Sequence, residues 1–221
     1  MKILLSLLLG LSVLQAQVKE VEIGTQVWMA ENLNVATFRN GDPIPQAKTA
    51  EEWAKASQNK QPAWCYYNND PVNGKKYGKL YNWYAVNDPR GLAPAGYHIP
   101  TDAEWDTLTI YLDVLIPPGY FPSGTKMKST SGWKKKQNYY TANELYPGLG
   151  ANESGFNGLP GGYRNNDGPF YSIGYYGYWW SSTEDGTLFT WGHALNNDSR
   201  HVSSSNAFMM GAALSVRCLR D

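Results

Sequence analysis

Between Gly155 and Thr183 the chain reads GFNGLPGGYRNNDGPFYSIGYYGYWWSST, with aromatic residues set among glycines. An amphipathic helix needs apolar residues every three or four positions, and a half-buried strand needs sustained alternation. This stretch holds neither pattern for long. Glycine belongs where the backbone turns through positive φ or passes close to another group, and aromatic side chains bury the most surface per residue. Together they predict a compact, loop-rich domain whose core is made by irregular segments folding over rings. The 9 Trp and 16 Tyr of the whole chain extend that reading beyond this one stretch.

The first residues set an expectation of export. Lys2 precedes an apolar run from Ile3 to Leu14, broken only by Ser6, Gly10 and Ser12, and Gln15-Ala16 offers a cleavage site. This is the pattern of a secretory signal peptide, residues 1–16, and it is too short to span a bilayer. No cysteine follows it to carry a lipid, and no later segment is long and apolar enough to cross a membrane. Residues 17–221 suffice for one sizeable core. With 19 basic and 19 acidic residues, no global field draws nucleic acid or an anionic membrane. Lys134-Lys135-Lys136 reads as a solvated hairpin tip.

Local signals then place the elements. Val21, Ile23, Thr25 and Val27 alternate with polar neighbours, so Val18 to Trp28 reads as a half-buried strand bent at Gly24-Thr25. Thr49 with Glu52 is a capping box for a short helix to about Ser57, with Trp53 and Ala56 on one face. Asn68 to Lys76 reads as a loop, and Tyr77, Leu80, Trp83 and Tyr84 as a helix stopped by Asn87-Asp88-Pro89-Arg90-Gly91. In HIPTDAEWDTLTIYLDVL, Thr101 and Glu104 form a second capping box. Trp105, Leu108, Leu112 and Leu115 mark an apolar stripe, and Pro117-Pro118-Gly119 ends it. Short strands and long loops follow Gly132, closing with a strand from Ala213 to Leu219. The fold class is α+β, with two or three short helices and small antiparallel sheets.

Chemistry is harder to find. Cys65 and Cys218 are the only cysteines; in an oxidising compartment they form a candidate disulfide, worth roughly 4–5 kcal/mol by loop entropy, against the reading of two buried thiols. His98, His193 and His201 show no close metal-ligand spacing, and neither a nucleophile elbow nor a phosphate loop is present. Glu31, Glu153, Asp167 and Glu184 could meet in space as a glycosidase dyad. Asn-Asn-Asp occurs at residues 68–70, 165–167 and 196–198. Such oxygen-rich triplets suit Ca²⁺, but turn chemistry is the favoured reading, so no cofactor is expected.

The blocks IGTQVWMAENL, YGKLYNWYAV, AGYHIPTDAEW, SGFNGLPGGYR, YWWSST and SVRCLRD occur in the order found in the Fibrobacter succinogenes major paralogous domain, and the chain resembles that family over essentially all of residues 17–221. The resemblance implies a C-type-lectin-like fold, distantly similar to formylglycine-generating enzymes, and a bacterial, exported protein. It carries over no catalytic residue, since the reactive cysteine pair of those enzymes has no counterpart here. Relatives often carry a cysteine where this chain has Ala93, which leaves the partner of Cys218 open.

The resulting expectation is a secreted or surface binding module without catalysis, its partner a glycan or a protein. A structural subunit of a surface coat, and an enzyme with a loop-assembled site, remain as alternatives. The candidate ligand-binding residues are Arg164, Asn165, Asn166 and Asp167 on the glycine-flanked loop, with Tyr175, Tyr176 and Tyr178 as an aromatic platform. Arg164 has a second reading, as a lock that bonds backbone carbonyls. Trp179 and Trp180 read as core.

Overall fold

The computed structural model describes residues 18–114, 122–134, 150–186 and 188–221. The expected signal peptide, Leu115, the Pro117–Gly119 stop, and Lys135 and Lys136 lie outside these residues. Strands β1 (Glu20–Ile23) and β2 (Gln26–Met29) form a hairpin on Gly24-Thr25, with Gly24 at φ +64°. Helix α1 (Ala50–Gln58) follows, its capping box complete at Thr49 and Glu52, with Trp53 fully buried. Next come β3 (Trp64–Cys65), a 3₁₀ turn at Tyr67–Asn69, α2 (Pro71–Tyr77), β4 (Leu80–Asn82), the single turn α3 (Trp83–Val86) and β5 (Tyr97–His98).

Helix α4 (Asp102–Asp113) has both halves of its capping box, and Trp105, Leu108 and Leu112 face the core. Helix α5 (Ser123–Met127) precedes seven strands: β6 (Tyr163–Arg164), β7 (Phe170–Tyr171), β8 (Tyr176–Asp185), β9 (Phe189–Asn196), β10 (Val202–Met209), β11 (Ala213–Leu214) and β12 (Leu219–Arg220). They form sheets ordered β1-β2-β12-β5, β3-β4-β11-β6-β7 and β10-β9-β8, with every named pairing antiparallel. Bridges Gly162–Gly177 and Trp179–Ser215 stitch β8 to the five-stranded sheet.

Five expectations need correction. The single bent strand expected from Val18 to Trp28 is instead two antiparallel strands, because Gly24 takes a positive φ and the chain reverses there. Residues 71–77 are helix, because Asp70 accepts the Val72 N–H at 2.8 Å and Pro71 takes the first helical position. The expected helix from Tyr77 to Tyr84 is instead a strand and one turn. Gly78, at φ +77°, ends α2, and β4 is then held on both sides by β3 and β11. Five α-helical elements occur among the described residues, more than the two or three expected. The closing strand is two strands in different sheets. Between them Ser215 bonds Trp180 and Tyr178 through its backbone, and the Val216 and Cys218 carbonyls accept from Leu33 and Met29.

The disulfide is not formed: both cysteines are free and buried. Cys65 lies beneath α1 with Trp53 and Leu80, whereas Cys218 packs with Tyr81 and Val216 in another part of the core. Cys65 sits on β3 of the five-stranded sheet and Cys218 on the segment just before β12 of another, and burial pushes each thiol up to about 12.

Rings fill the space between sheets as the composition predicts. Trp28 meets Trp105 at 4.9 Å, and Phe156 lies 5.7 Å from Trp28, Trp105 and Trp179, edge-on to each. Such tilted pairs contribute about 0.5–1.5 kcal/mol beyond burial. Trp180 is fully buried and donates its indole N–H to the Tyr81 carbonyl at 2.7 Å.

Candidate functional site

Arg164 points inward. Only 1% exposed, it donates Nε to the Gly168 carbonyl at 2.8 Å, Nη1 to Ala47 at 3.0 Å and Nη2 to Thr49 at 2.7 Å. The rings of Trp53 and Phe170 lie 4.9 and 4.6 Å from its guanidinium carbon. It therefore ties the 164–168 loop to the entrance of α1 and is unavailable to a ligand, the second of the two roles its position suggested. Asn165 closes the loop as a turn: its amide reaches Asp167 Oδ1 at 2.7 Å, and its carbonyl accepts the Gly168 N–H at 3.0 Å. Asn166 is half-buried near Gly211, and Asp167 is exposed.

The platform is real but has other members. Tyr176 and Tyr178 share one face of β8 and stack at 5.3 Å with planes 3° apart. Tyr178 meets Tyr163 at 5.3 Å and Phe208 at 5.6 Å, both edge-on, and Tyr163 continues to Tyr171 at 5.6 Å. Five rings from β6, β7, β8 and β10 thus form a ridge along the seam between two sheets. Tyr171 is 45% exposed, and the other four are half-buried. Burial, then the neighbouring Tyr176 and Tyr163, raise the Tyr178 hydroxyl above its ordinary range, so it stays protonated. Burial, Tyr171 and Asp167 act likewise on Tyr163, which brings the exposed carboxylate beside the ridge. Tyr175 is absent from the ridge; it points elsewhere, beneath the Lys134 ammonium 4.9 Å from its ring centre.

Tyr163, Tyr171 and Phe208 were missed in the sequence. Strand alternation pairs Tyr176 with Tyr178, but nothing local brings in rings from three other strands.

Most of the polar groups weighed for chemistry have structural partners, and Glu153 is exposed. Asn68 and Asn69 adopt left-handed φ of 53° and 55°, and Asp70 caps α2. Asn196 accepts from the Asp198 N–H and donates to the Tyr176 hydroxyl. All three triplets thus act as turns. Glu31 pairs with Lys19, and Glu184 accepts from Asn87. Among the described residues no three His, Cys, Asp or Glu side chains converge to hold a metal. His193 is 2% exposed, stacks on Trp105 at 4.7 Å and meets Asp102 at 2.8 Å; burial lowers it to about 4, so it is neutral. His98 lies between Asp221 at 2.8 Å and Glu104 at 2.9 Å.

The family model described as Fibrobacter succinogenes major domain matches residues 21–220. The chain belongs to that family. No curated protein and no solved structure matches it.

In this Fibrobacter succinogenes major domain, several of the sequence blocks meet at one hub. Arg217 of SVRCLRD donates to Asn32 Oδ1 of MAENL through Nε at 3.1 Å and Nη2 at 2.7 Å, and through Nη1 to the carbonyls of Met29 and Phe156. Trp179 of YWWSST adds its indole N–H to the same Oδ1 at 2.8 Å. These blocks thus supply much of the scaffold, and two of them also carry ridge rings, Tyr163 of SGFNGLPGGYR and Tyr178 of YWWSST, beside Tyr171, Tyr176 and Phe208 from the elements between. No helix among the described residues is long and apolar enough to cross a membrane.

Proposed function

We propose that this chain is an exported, non-catalytic binding module of C-type-lectin-like fold that takes a polypeptide partner on its tyrosine ridge. The observation that carries the reading is the orientation of the rings. Tyr176 and Tyr178 stack on each other, and Tyr178 meets the edges of Tyr163 and Phe208, so the ridge offers edges and hydroxyls rather than one broad flat face. Rigid amphipathic tyrosines of this kind supply contact area at low entropic cost in protein recognition. A glycan site built on stacking has mainly Tyr171 to use.

The test is selection of peptides from a displayed random library against the folded domain, alongside a glycan array and sedimentation. A selected peptide that loses at least fivefold affinity with Tyr171→Ser or Tyr176→Ser, as expected for hot-spot residues, supports the reading. A glycan hit abolished by the same variants would move the partner to carbohydrate. Self-association without either hit would make the protein a coat subunit.

A further inference from the structure

The hairpin of β6 and β7 sets Tyr163 opposite Tyr171 and turns through residues 165–169. The turn is tight: the Asn165 N–H reaches the Pro169 carbonyl at 2.8 Å, and the Gly168 N–H reaches that of Asn165 at 3.0 Å. Asp167 therefore stands exposed at the hairpin tip, at one end of the ridge. Its Oδ1 accepts from the Asn165 amide at 2.7 Å, and among the described residues no cation pairs with the carboxylate. Arg164 does not serve, because neighbouring strand residues face opposite sides and its guanidinium is held by three backbone carbonyls. The loop packs on the α1 entrance so closely that a Cβ on Gly168 would lie 2.6 Å from that of Ala50. That entrance exposes Glu51 and Glu52 beside one lysine, Lys48. This end of the ridge is acidic.

Ring faces elsewhere are covered by the chain's own cations. Lys76 lies 5.0 Å from the Tyr77 ring centre, Lys79 lies 4.5 and 5.2 Å from Trp64 and Tyr66, and Lys134 lies 4.9 Å from Tyr175. Among the described residues no cation lies over any of the five ridge rings. Tyr163, Tyr176, Tyr178 and Phe208 turn faces and edges to one another. Tyr171 is 45% exposed, and its one ring neighbour among the described residues is Tyr163, so a face is left open.

We propose that the partner of the ridge is an arginine-bearing peptide segment, its guanidinium laid on Tyr171 and forked to Asp167, and its neighbouring residues running along the edges of Tyr163, Tyr178 and Phe208. This inference rests on the peptide reading of the ridge and adds the peptide's chemistry. A guanidinium is planar and weakly hydrated, so it stacks on an aromatic face while its N–H groups reach a carboxylate. An acidic segment would meet Asp167 and Glu51 as like charges.

The experiment is a low-salt NMR titration of the folded chain with acetyl-Gly-Arg-Gly-amide and with the same peptide carrying citrulline, which keeps the shape and loses the charge. The arginine peptide should shift the Gly168 amide and the Asn165 side-chain amide saturably, and the citrulline peptide should bind at least about fivefold more weakly. Asp167→Asn, which keeps the acceptor for Asn165, should weaken the arginine peptide about fivefold at an unchanged urea midpoint. Tyr171→Leu should weaken it by a similar factor, whereas Tyr171→Phe keeps the ring and should bind like wild type. Ridge-dependent peptides selected from the displayed library should be enriched in arginine. Equal binding of the citrulline peptide, or ridge-dependent peptides without arginine, would overturn this inference and leave the peptide reading standing. Selection of no peptide that needs the ridge rings would overturn both. Arginine binding untouched by Asp167→Asn and Tyr171→Leu would mark diffuse attraction and overturn the inference.

Discussion

Replacing Asn32 with alanine tests the hub most directly, because one amide serves five contacts. Its Oδ1 accepts from Trp179 Nε1 at 2.8 Å and from Arg217 Nε and Nη2 at 3.1 and 2.7 Å. Its Nδ2 donates to the Tyr77 carbonyl at 2.8 Å and to Ser215 Oγ at 3.3 Å. Without it, the indole N–H of Trp179, a residue 1% exposed, is stranded among apolar neighbours, which costs about 1–3 kcal/mol. Arg217 loses two of its four hydrogen bonds, and hydrogen bonding to a charged group contributes about 1.5–3 kcal/mol. The expected loss is therefore about 4 kcal/mol, a large share of the roughly 5–15 kcal/mol that holds a domain together. Asn32→Asp keeps the acceptor and gives Arg217 a counter-charge, but turns a carboxylate oxygen toward the Tyr77 carbonyl. It should lose less, about 1–2 kcal/mol, by the cost of one unmade hydrogen bond. Urea unfolding followed by tryptophan fluorescence reads both variants as shifts in midpoint at constant slope. An alanine variant that loses under about 1 kcal/mol, or an aspartate variant worse than alanine, would refute the assignment of Asn32 as the hub.

Thr101→Ala should cost ~1 kcal/mol through loss of the N-cap, and Trp105→Ala about 3–5 kcal/mol through the cavity it leaves; equal, mild urea shifts would contradict the core position of the ring. Burial pulls His98 down, but its hydrogen bonds to Asp221 and Glu104 outweigh that and leave its pKa raised above 6.5. Its contribution is thus complete below pH 6.5 and fades as pH rises through the folded value. Glu104, where burial is outweighed by bonds from Thr101 and His98, is held below 4.5 and loses its contribution as pH falls through its own folded value. Urea midpoints between pH 4 and 8 should fall on the alkaline side by a small amount, since the cluster is partly exposed, and His98→Gln should flatten that limb. Unreduced protein should take up alkylating reagent at both Cys65 and Cys218 when unfolded and at neither when native; a mass showing no uptake after unfolding would restore the disulfide.

What could be read in advance was what the chain decides within a few residues. The capping boxes at Thr49 and Thr101 are complete in four positions, and both helices start where they say. Tyr77, Leu80 and Tyr84 imitate helical spacing, yet Gly78 breaks the helix and β4 is created by strands far away in sequence. Residues 213–219 alternate like one strand, and only the presence of two sheets to be joined divides them. At Arg164 the sequence leaves two roles open; the carbonyls that choose between them include those of Ala47 and Thr49, which no local pattern could place there. For the ridge, strand parity reveals Tyr176 and Tyr178, while Tyr163, Tyr171 and Phe208 arrive through tertiary packing alone.

The pairing of Leu219 with Trp28 has a kinetic side. Nearly the whole chain separates these two residues, so β2 cannot gain its inner neighbour until the last segment has been made and has searched its way back. Folding rates fall as contacts become less local, and loop closure must be met before such a contact returns anything. Until then Trp28, Trp105 and Phe156 have no roof, and a newly made chain displays its stickiest surface for longest. A folding helper that shields aromatic surface should therefore raise the yield of this protein more than a faster oxidant would, since no cross-link is waiting to form.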